Sequence, residues 1–333
     1  MTVFHRSALA LLAGGALAHP SSAQAPAPLR LALPIACVVG QTCEIQNYVD
    51  RDPGPGAKDY RCGTRTYEGH SGLDIRLRDL AAQKRGVDVL AAADGKVLRV
   101  RDGVADISVK DLGAAAVKNQ ECGNGLVIEH AGGLSTQYCH MAKGSLRVKP
   151  GDLVKAGQPI GRVGLSGNTE YPHLHLTVKQ GDMVIDPFAP GPGGKPDQCG
   201  SGDNLWRPEA RAALAYKARV VLNTGFVSGP VTMQQLEAGD LAAPGADPST
   251  LVAYARVLGL KAGDAPSLTL TDPSGRILAA SARDPLPRDQ AQRLLYVGKP
   301  RPGSGWPKGR YKALYKVERS GAVVLERAFD LSL

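Results

Sequence analysis

The 333-residue sequence has no C-x-x-C pair, no long block of lysine and arginine, and no bilayer-length apolar run anywhere. The missing C-x-x-C spacing argues against a four-thiolate zinc site and against a thioredoxin-like redox centre. The missing basic block or basic helix predicts no nucleic-acid partner, although the formal charge is +9. The missing apolar span predicts no stable membrane insertion. Wholesale disorder is excluded too, because 43% hydrophobic and 21% charged residues make an ordinary globular composition. No histidine or cysteine follows Cys199, so reactive chemistry is confined to the first half of the chain. The two halves share no repeat, and oligomeric state is not legible.

What is present in quantity is glycine (40) and proline (24), which favour turns and short strands. At the N-terminus, Arg6 precedes an eleven-residue apolar run from Ala8 to Ala18, too short to span a bilayer, and small residues offer cleavage after Ala23 or Ala25. Residues 1–23 therefore read as a signal peptide. Its removal takes one positive charge and leaves a basic mature chain of about +8, suited to anionic partners. The expected location is periplasmic or secreted. All six cysteines lie beyond the leader, and an even count in an exported chain favours disulfides. Nearness in sequence favours Cys37–Cys43 and Cys122–Cys139, leaving Cys62–Cys199.

The expected organisation is a loop-rich segment (24–61), a first domain (62–190), a linker (191–208) around the Pro-Gly-rich run Pro190 to Pro196, and a C-terminal domain (209–333). In the first domain, short runs alternate with sharp turns: Val87–Ala92 and Lys96–Val100 flank Asp94-Gly95, and Leu126–Glu129 and Leu134–Tyr138 flank Ala131-Gly132-Gly133. The first pair reads as a hairpin signal. No sustained 3.6-residue period appears, so the fold class is all-β with antiparallel pairing. In the C-terminal domain, Leu251–Leu258, Ser267–Thr271, Arg276–Ala279, Tyr311–Glu318 and Val323–Phe329 read as strands of a small β-sandwich of the immunoglobulin-like kind. Glu209–Tyr216, after Pro208, carries the only fair helix signal.

Four of the histidines sit in compact settings. Gly69-His70-Ser71-Gly72-Leu73-Asp74 sets a histidine and an aspartate four apart among glycines. Tyr138-Cys139-His140 ends a strand, and Tyr171-Pro172-His173-Leu174-His175 begins one. Period-two geometry sends His173 and His175 to one sheet face. Imidazole nitrogen and carboxylate oxygen together suit zinc. Four ligands (His70, Asp74, His173, His175) would make a closed structural site. Three would leave a position for a water of lowered pKa and hence a catalytic site, and His140 has no use in a closed one. His130 reads as a hydrogen-bonded residue at a strand end. Glu170 and Tyr171 are placed to line a groove or simply to face solvent.

These motifs together resemble the M23 metallopeptidases of the lysostaphin and LytM type, which cut peptides in peptidoglycan. The resemblance runs from about Cys62 to Pro187. It includes Gly86-Val87-x-Val89-x-Ala91-Ala92-x-Asp94-Gly95, Gly123-Asn124-Gly125 and Gly157-Gln158-x-Ile160-Gly161-x-x-Gly164-x-Ser166-Gly167. The Cys37–Cys62 stretch is similar to a region of exported Gram-negative members. The resemblance implies a LytM-like antiparallel sheet and a zinc metalloendopeptidase, with His70, Asp74 and His175 as zinc ligands and His140 and His173 as unliganded catalytic histidines. It further implies peptidoglycan stem peptides as substrate, and the expected periplasmic location, where the wall is cross-linked directly from stem to stem, makes the D-Ala to diaminopimelate bond the leading one. Met141 stands where the family commonly has leucine, and Asn168-Thr169-Glu170-Tyr171 replaces its usual Ser-Thr-Gly-like run, which leaves substrate preference open. Two other readings are a catalytically silent LytM-like regulator of cell-wall amidases, in which metal ligands are typically missing, and a metal-binding wall adhesin.

Overall fold

The computed structural model describes residues 1–3, 29–191, 200 and 203–333. The expected leader beyond residue 3, residues 192–199, 201 and 202 of the expected linker, and the Cys62–Cys199 pairing lie outside the described residues. Among the described residues, no helix is long and apolar enough to cross a membrane.

Among the described residues, the first half contributes ten strands: β1 (Cys43–Asn47), β2 (Leu73–Leu77), β3 (Asp88–Leu90), β4 (Gly95–Arg101), β5 (Asn124–Glu129), β6 (Leu134–Met141), β7 (Leu153–Val154), β8 (Pro159–Arg162), β9 (His173–Gln180) and β10 (Met183–Ile185). Eight build one antiparallel sheet in the order β1-β2-β9-β6-β5-β4-β7, with β10 also pairing with β9, while β3 and β8 form a separate pair. Alternation along the central strands explains the layering. Leu73, Ile75 and Leu77 of β2, with Leu174, Leu176 and Val178 of β9, are at most 1% exposed and enter one apolar core. The intervening residues, Asp74 and Arg76 on β2 and His173, His175 and Thr177 on β9, occupy the other face. Cys37–Cys43 and Cys122–Cys139 are bonded as the spacing suggested.

Asp94-Gly95 does not close a hairpin. β3 pairs with β8 whereas β4 pairs with β5 and β7, so the chain crosses between sheets there. The Asp94 carboxylate instead accepts the Ala156 backbone N–H at 2.8 Å and pairs with Lys155 at 2.9 Å. Tertiary contacts thus use the turn residues for a long-range tie. The Ala131–Gly133 turn does join β5 and β6, with Gly132 and Gly133 at φ 75° and 74°.

The second half carries β11 (Val220–Val227), β12 (Thr250–Leu260), β13 (Ala265–Thr271), β14 (Ile277–Ala282), β15 (Gln290–Pro300), β16 (Arg310–Arg319) and β17 (Ala322–Ser332). They form two antiparallel sheets, β11-β12-β15 and β14-β13-β16-β17, whose inner residues meet in one apolar cluster. This is a seven-stranded sandwich. Its fourth strand pairs with the third, whereas in the constant-type immunoglobulin order the fourth strand lies in the other sheet. Asp272–Gly275 and Ser320-Gly321 join neighbouring strands as the turn residues suggested. The helix signal after Pro208 is a helix over Pro208–Ala213; nearby Trp206, Ala210 and Leu214 pack into the core of the first half. A second short helix, Met233–Ala238, opens with a reciprocal cap in which Thr232 and Gln235 satisfy each other's backbone N–H.

Candidate metal centre

Three adjoining strands build the site. Register sets Asp74 of β2 opposite His175 of β9, and His175 opposite Cys139 of β6, in one row across the sheet. His70 enters from the loop before β2. A bulge delivers the fourth histidine: Tyr138 pairs with Leu126 and Met141 with Asn124, so Cys139 and His140 together face Gly125. His140 adopts φ 60°, uncommon outside glycine, and the re-aimed strand turns its imidazole toward the other histidines. Gly125 permits this, since a Cβ there would lie 2.1 Å from the Tyr138 carbonyl oxygen. Strand alternation alone does not reveal the bulge; the nearest sequence signal is glycine at 123 and 125 beside the Cys122–Cys139 pair.

The donor atoms converge closely. His175 Nδ1 lies 2.9 Å from Asp74 Oδ1, His70 Nε2 lies 3.2 Å from the same oxygen, and the two imidazole nitrogens are 3.3 Å apart. A tetrahedral centre with bonds of about 2.0–2.1 Å sets its ligands about 3.3–3.4 Å from one another, close to this triangle. The atoms facing away are each engaged. His70 Nδ1 donates to the Tyr48 carbonyl at 2.6 Å, which leaves Nε2 as a lone pair on the site. Asp74 Oδ2 accepts from Asn47 Nδ2 at 2.9 Å. His175 Nε2 stands 3.1 Å from Thr177 Oγ1.

His173 and His140 complete the cluster. His173 Nδ1 donates to the Tyr171 carbonyl at 2.9 Å, and His140 Nδ1 to the Ser166 carbonyl at 2.8 Å. Both therefore turn Nε2 away from those carbonyls, and His173 Nε2 lies 3.3 Å from Asp74 Oδ1. The His140 and His173 rings stand 4.6 Å apart. With Nε2 of both His70 and His173 so close to one carboxylate oxygen, the arrangement calls for a proton or a metal cation between them. The donor set and this convergence fit a metal ion. His70, Asp74 and His175 form one group able to hold it, and His140, His173 and His175 form another that lacks the carboxylate.

Burial sets the electrostatics. Desolvation alone would raise the Asp74 carboxyl, but His173 and His70, with hydrogen bonds from His173 and His175, hold it well below its ordinary value. For His70, burial works downward, yet Asp74 and the Tyr48 carbonyl carry it upward. Burial, then the neighbouring His173 and His175, push His140 well below the usual imidazole range. His175 is lowered chiefly by burial. A cleft of about 370 Å³, lined by Tyr67, Ser71, Gln137, His140, His175 and Thr177 among others, opens beside the cluster.

The remaining candidates fall outside the cluster. His130 bridges the Asp94 carbonyl at 2.8 Å and Thr136 Oγ1 at 2.7 Å, so it ties strands as a hydrogen-bonded strand-end residue. Glu170 is exposed and paired with Lys110 at 2.8 Å. Tyr171 is half-buried, with the Arg76 guanidinium 4.0 Å from its ring centre. Cys139 is disulfide-bonded and thus no free thiol beside the site.

Fold and site together define a β-sheet protein with a buried histidine–carboxylate centre open to a cleft on one side. Residues 68–187 match the family model described as Peptidase family M23. The chain is 35% identical over 117 residues to peptidoglycan DD-endopeptidase ShyB of Vibrio cholerae, a match covering 35% of this chain and 22% of that protein. It is 33% identical over 125 residues to cell division protein DipM of Caulobacter vibrioides, covering 38% of this chain and 17% of that one. The chain thus spans about a fifth of the length of these curated relatives. Among solved structures, a zinc-containing peptidase from Vibrio cholerae is 29% identical, with a TM-score of 0.28, covering 42% of this chain and 38% of that one.

Proposed function

We propose that this chain is a zinc-dependent endopeptidase that hydrolyses peptide cross-links of peptidoglycan outside the cytoplasm. The observation that carries the proposal is the near-tetrahedral triangle of His70, Asp74 and His175 with two further imidazoles turned toward it. In this reading the triangle holds zinc, and His140 and His173 are the catalytic histidines. Bound zinc would supply Lewis-acid polarisation of the scissile carbonyl and a water of lowered pKa.

The protein's own residues do the rest. Low proton affinity keeps His140 neutral, with Nδ1 committed to the Ser166 carbonyl and Nε2 free to accept a proton from the attacking water. Once protonated, that imidazole can donate to the developing oxyanion or to the departing amine. His173 is held equivalently by the Tyr171 carbonyl, so either imidazole can serve in either role. The Tyr48, Asn47 and Thr177 contacts fix the ligand orientations. The similarity to the peptidoglycan DD-endopeptidase of Vibrio cholerae supports the substrate class. The basic chain favours anionic stem peptides, with an attraction that weakens as salt rises.

The test is digestion of purified cross-linked muropeptides, with products identified by mass. Conversion of dimers to monomers, abolished by a chelator and restored by zinc, is the expected result. Intact dimers alongside cleavage of glycine-rich peptides would remove the D-Ala to diaminopimelate assignment. No cleavage of either would remove the enzyme reading and favour a silent regulator or an adhesin.

A further inference from the structure

The sandwich reaches into the metal site through one buried arginine. Arg76 on β2 lies in register with His173 on β9 and is 1% exposed. An arginine does not give up its proton in a protein, so its charge must be met where it is buried. Two of its acceptors come from the second half of the chain. Arg76 Nη2 pairs with Glu237 Oε2, at the end of the capped helix Met233–Ala238, and Nη1 donates to Gln292 Oε1 of β15 at 3.2 Å. Within the peptidase half, Nη1 also donates to Gln46 Oε1 at 3.0 Å. Glu237 Oε2 simultaneously accepts from Arg256 Nη1 at 2.7 Å, and Arg256 is fully buried on β12.

Thus two buried guanidiniums share one carboxylate, and that carboxylate belongs to the sandwich. The Arg76 guanidinium stacks 4.0 Å from the Tyr171 ring centre, a cation–π contact between a buried guanidinium and a half-buried ring. Tyr171 is bound to the site at two points. Its carbonyl holds His173 Nδ1 at 2.9 Å, and its hydroxyl lies 3.3 Å from the Asn47 amide that donates to Asp74 Oδ2. A continuous set of contacts therefore runs from Glu237 through Arg76, Tyr171 and Asn47 to Asp74, with a branch to His173.

We propose that Glu237 and Arg76 are positioning residues for the metal centre, so that the C-terminal sandwich is a structural part of the catalytic site. Without Glu237, two buried charges lose the carboxylate they share and Arg76 is drawn toward solvent. Tyr171 is then uncovered, and the orientations of Asp74 and His173 relax with it. This inference rests on the zinc reading above for the identity of the ion.

The test compares full-length wild type with Glu237→Gln, Gln292→Ala and, as a control, Asp247→Asn, which breaks an exposed sandwich pair with Arg301. Zinc affinity is read by competition with a chromogenic chelator, and ligand geometry by the visible absorption of the cobalt-substituted protein. Glu237→Gln is expected to weaken zinc binding about tenfold and to alter the cobalt bands, as loss of outer-shell support does. Gln292→Ala is expected to weaken it roughly twofold to threefold, and Asp247→Asn to leave it unchanged. Wild-type affinity and cobalt bands in a cooperatively melting Glu237→Gln variant would overturn the inference alone. Should Glu237→Gln not fold, wild-type affinity and bands in Gln292→Ala would do the same. A wild-type protein that binds no zinc would overturn this inference and the metal reading together.

Discussion

Removing the Cys122–Cys139 disulfide should damage catalysis as well as stability. The bond closes a span of 17 residues containing β5 and most of β6, and loop-closure entropy at that length is worth about 3 kcal/mol. For a domain of this size such a loss lowers the melting temperature by about 6–12 °C. The catalytic effect follows from the bulge. His140 holds φ 60°, its N–H bonds the Cys122 carbonyl at 2.8 Å, and its carbonyl accepts from Gly164 N at 2.9 Å. A non-glycine residue in that region carries a strain of about 1–3 kcal/mol and persists only while its surroundings enforce it. With Cys122 untethered, His140 gains freedom to relax and its imidazole to leave the cluster. A displacement near 1 Å costs on the order of 10²-fold in rate. The assay is a denaturant melt beside single-turnover cleavage kinetics for the Cys122→Ala/Cys139→Ala double variant. Wild-type turnover in a variant destabilised by the expected amount would refute the claim that the disulfide holds His140 in place.

Two further predictions probe the same frame. Gly72→Ala would put a methyl 2.5 Å from His175 Nε2 and 2.9 Å from the Leu176 carbonyl, so His175 must swing away, and zinc content should fall while far-ultraviolet dichroism stays that of a β protein. Asp186 is pushed up to about 7, chiefly by burial, and its Oδ2 lacks a hydrogen-bond partner. Because its folded-state value lies above its unfolded value near 3.8, the stabilisation it brings is complete below that lower value and is lost as pH rises through 7. Asp186→Asn should therefore gain on the wild type by up to about 4 kcal/mol at pH 8 but not at pH 4, and parallel pH–stability curves for the two proteins would contradict this.

The legible parts of the molecule were those fixed by local chemistry. Asp272–Gly275 and Ser320-Gly321 name their turns through residues that adopt them readily, and β13, β14, β16 and β17 follow. The Cys37–Cys43 and Cys122–Cys139 pairs were readable from proximity, and the shared face of His173 and His175 from period two. Where long-range contacts decide, the sequence was mute. Asp94-Gly95 has hairpin chemistry but is used to tie Ala156 and Lys155. β11 and β15 escaped notice because Asn223 and Gly225 interrupt one, and the other has too few buried side chains to alternate clearly. The bulge at His140 and the Glu237–Arg76 contact need partners 15 and 161 residues away. No local pattern announces either.

The central claim is that His70, Asp74 and His175 hold the metal while His140 and His173 stand beside it. The competing group, His140 with His173 and His175, shares only His175, so zinc stoichiometry of two single variants separates them. Metal content measured on purified, folded His70→Ala and His140→Ala proteins is the most direct test. The account predicts that His70→Ala loses its zinc. His140→Ala should keep about one zinc per chain and lose roughly 10²–10⁴-fold in activity. Zinc retained by His70→Ala and lost by His140→Ala would contradict it.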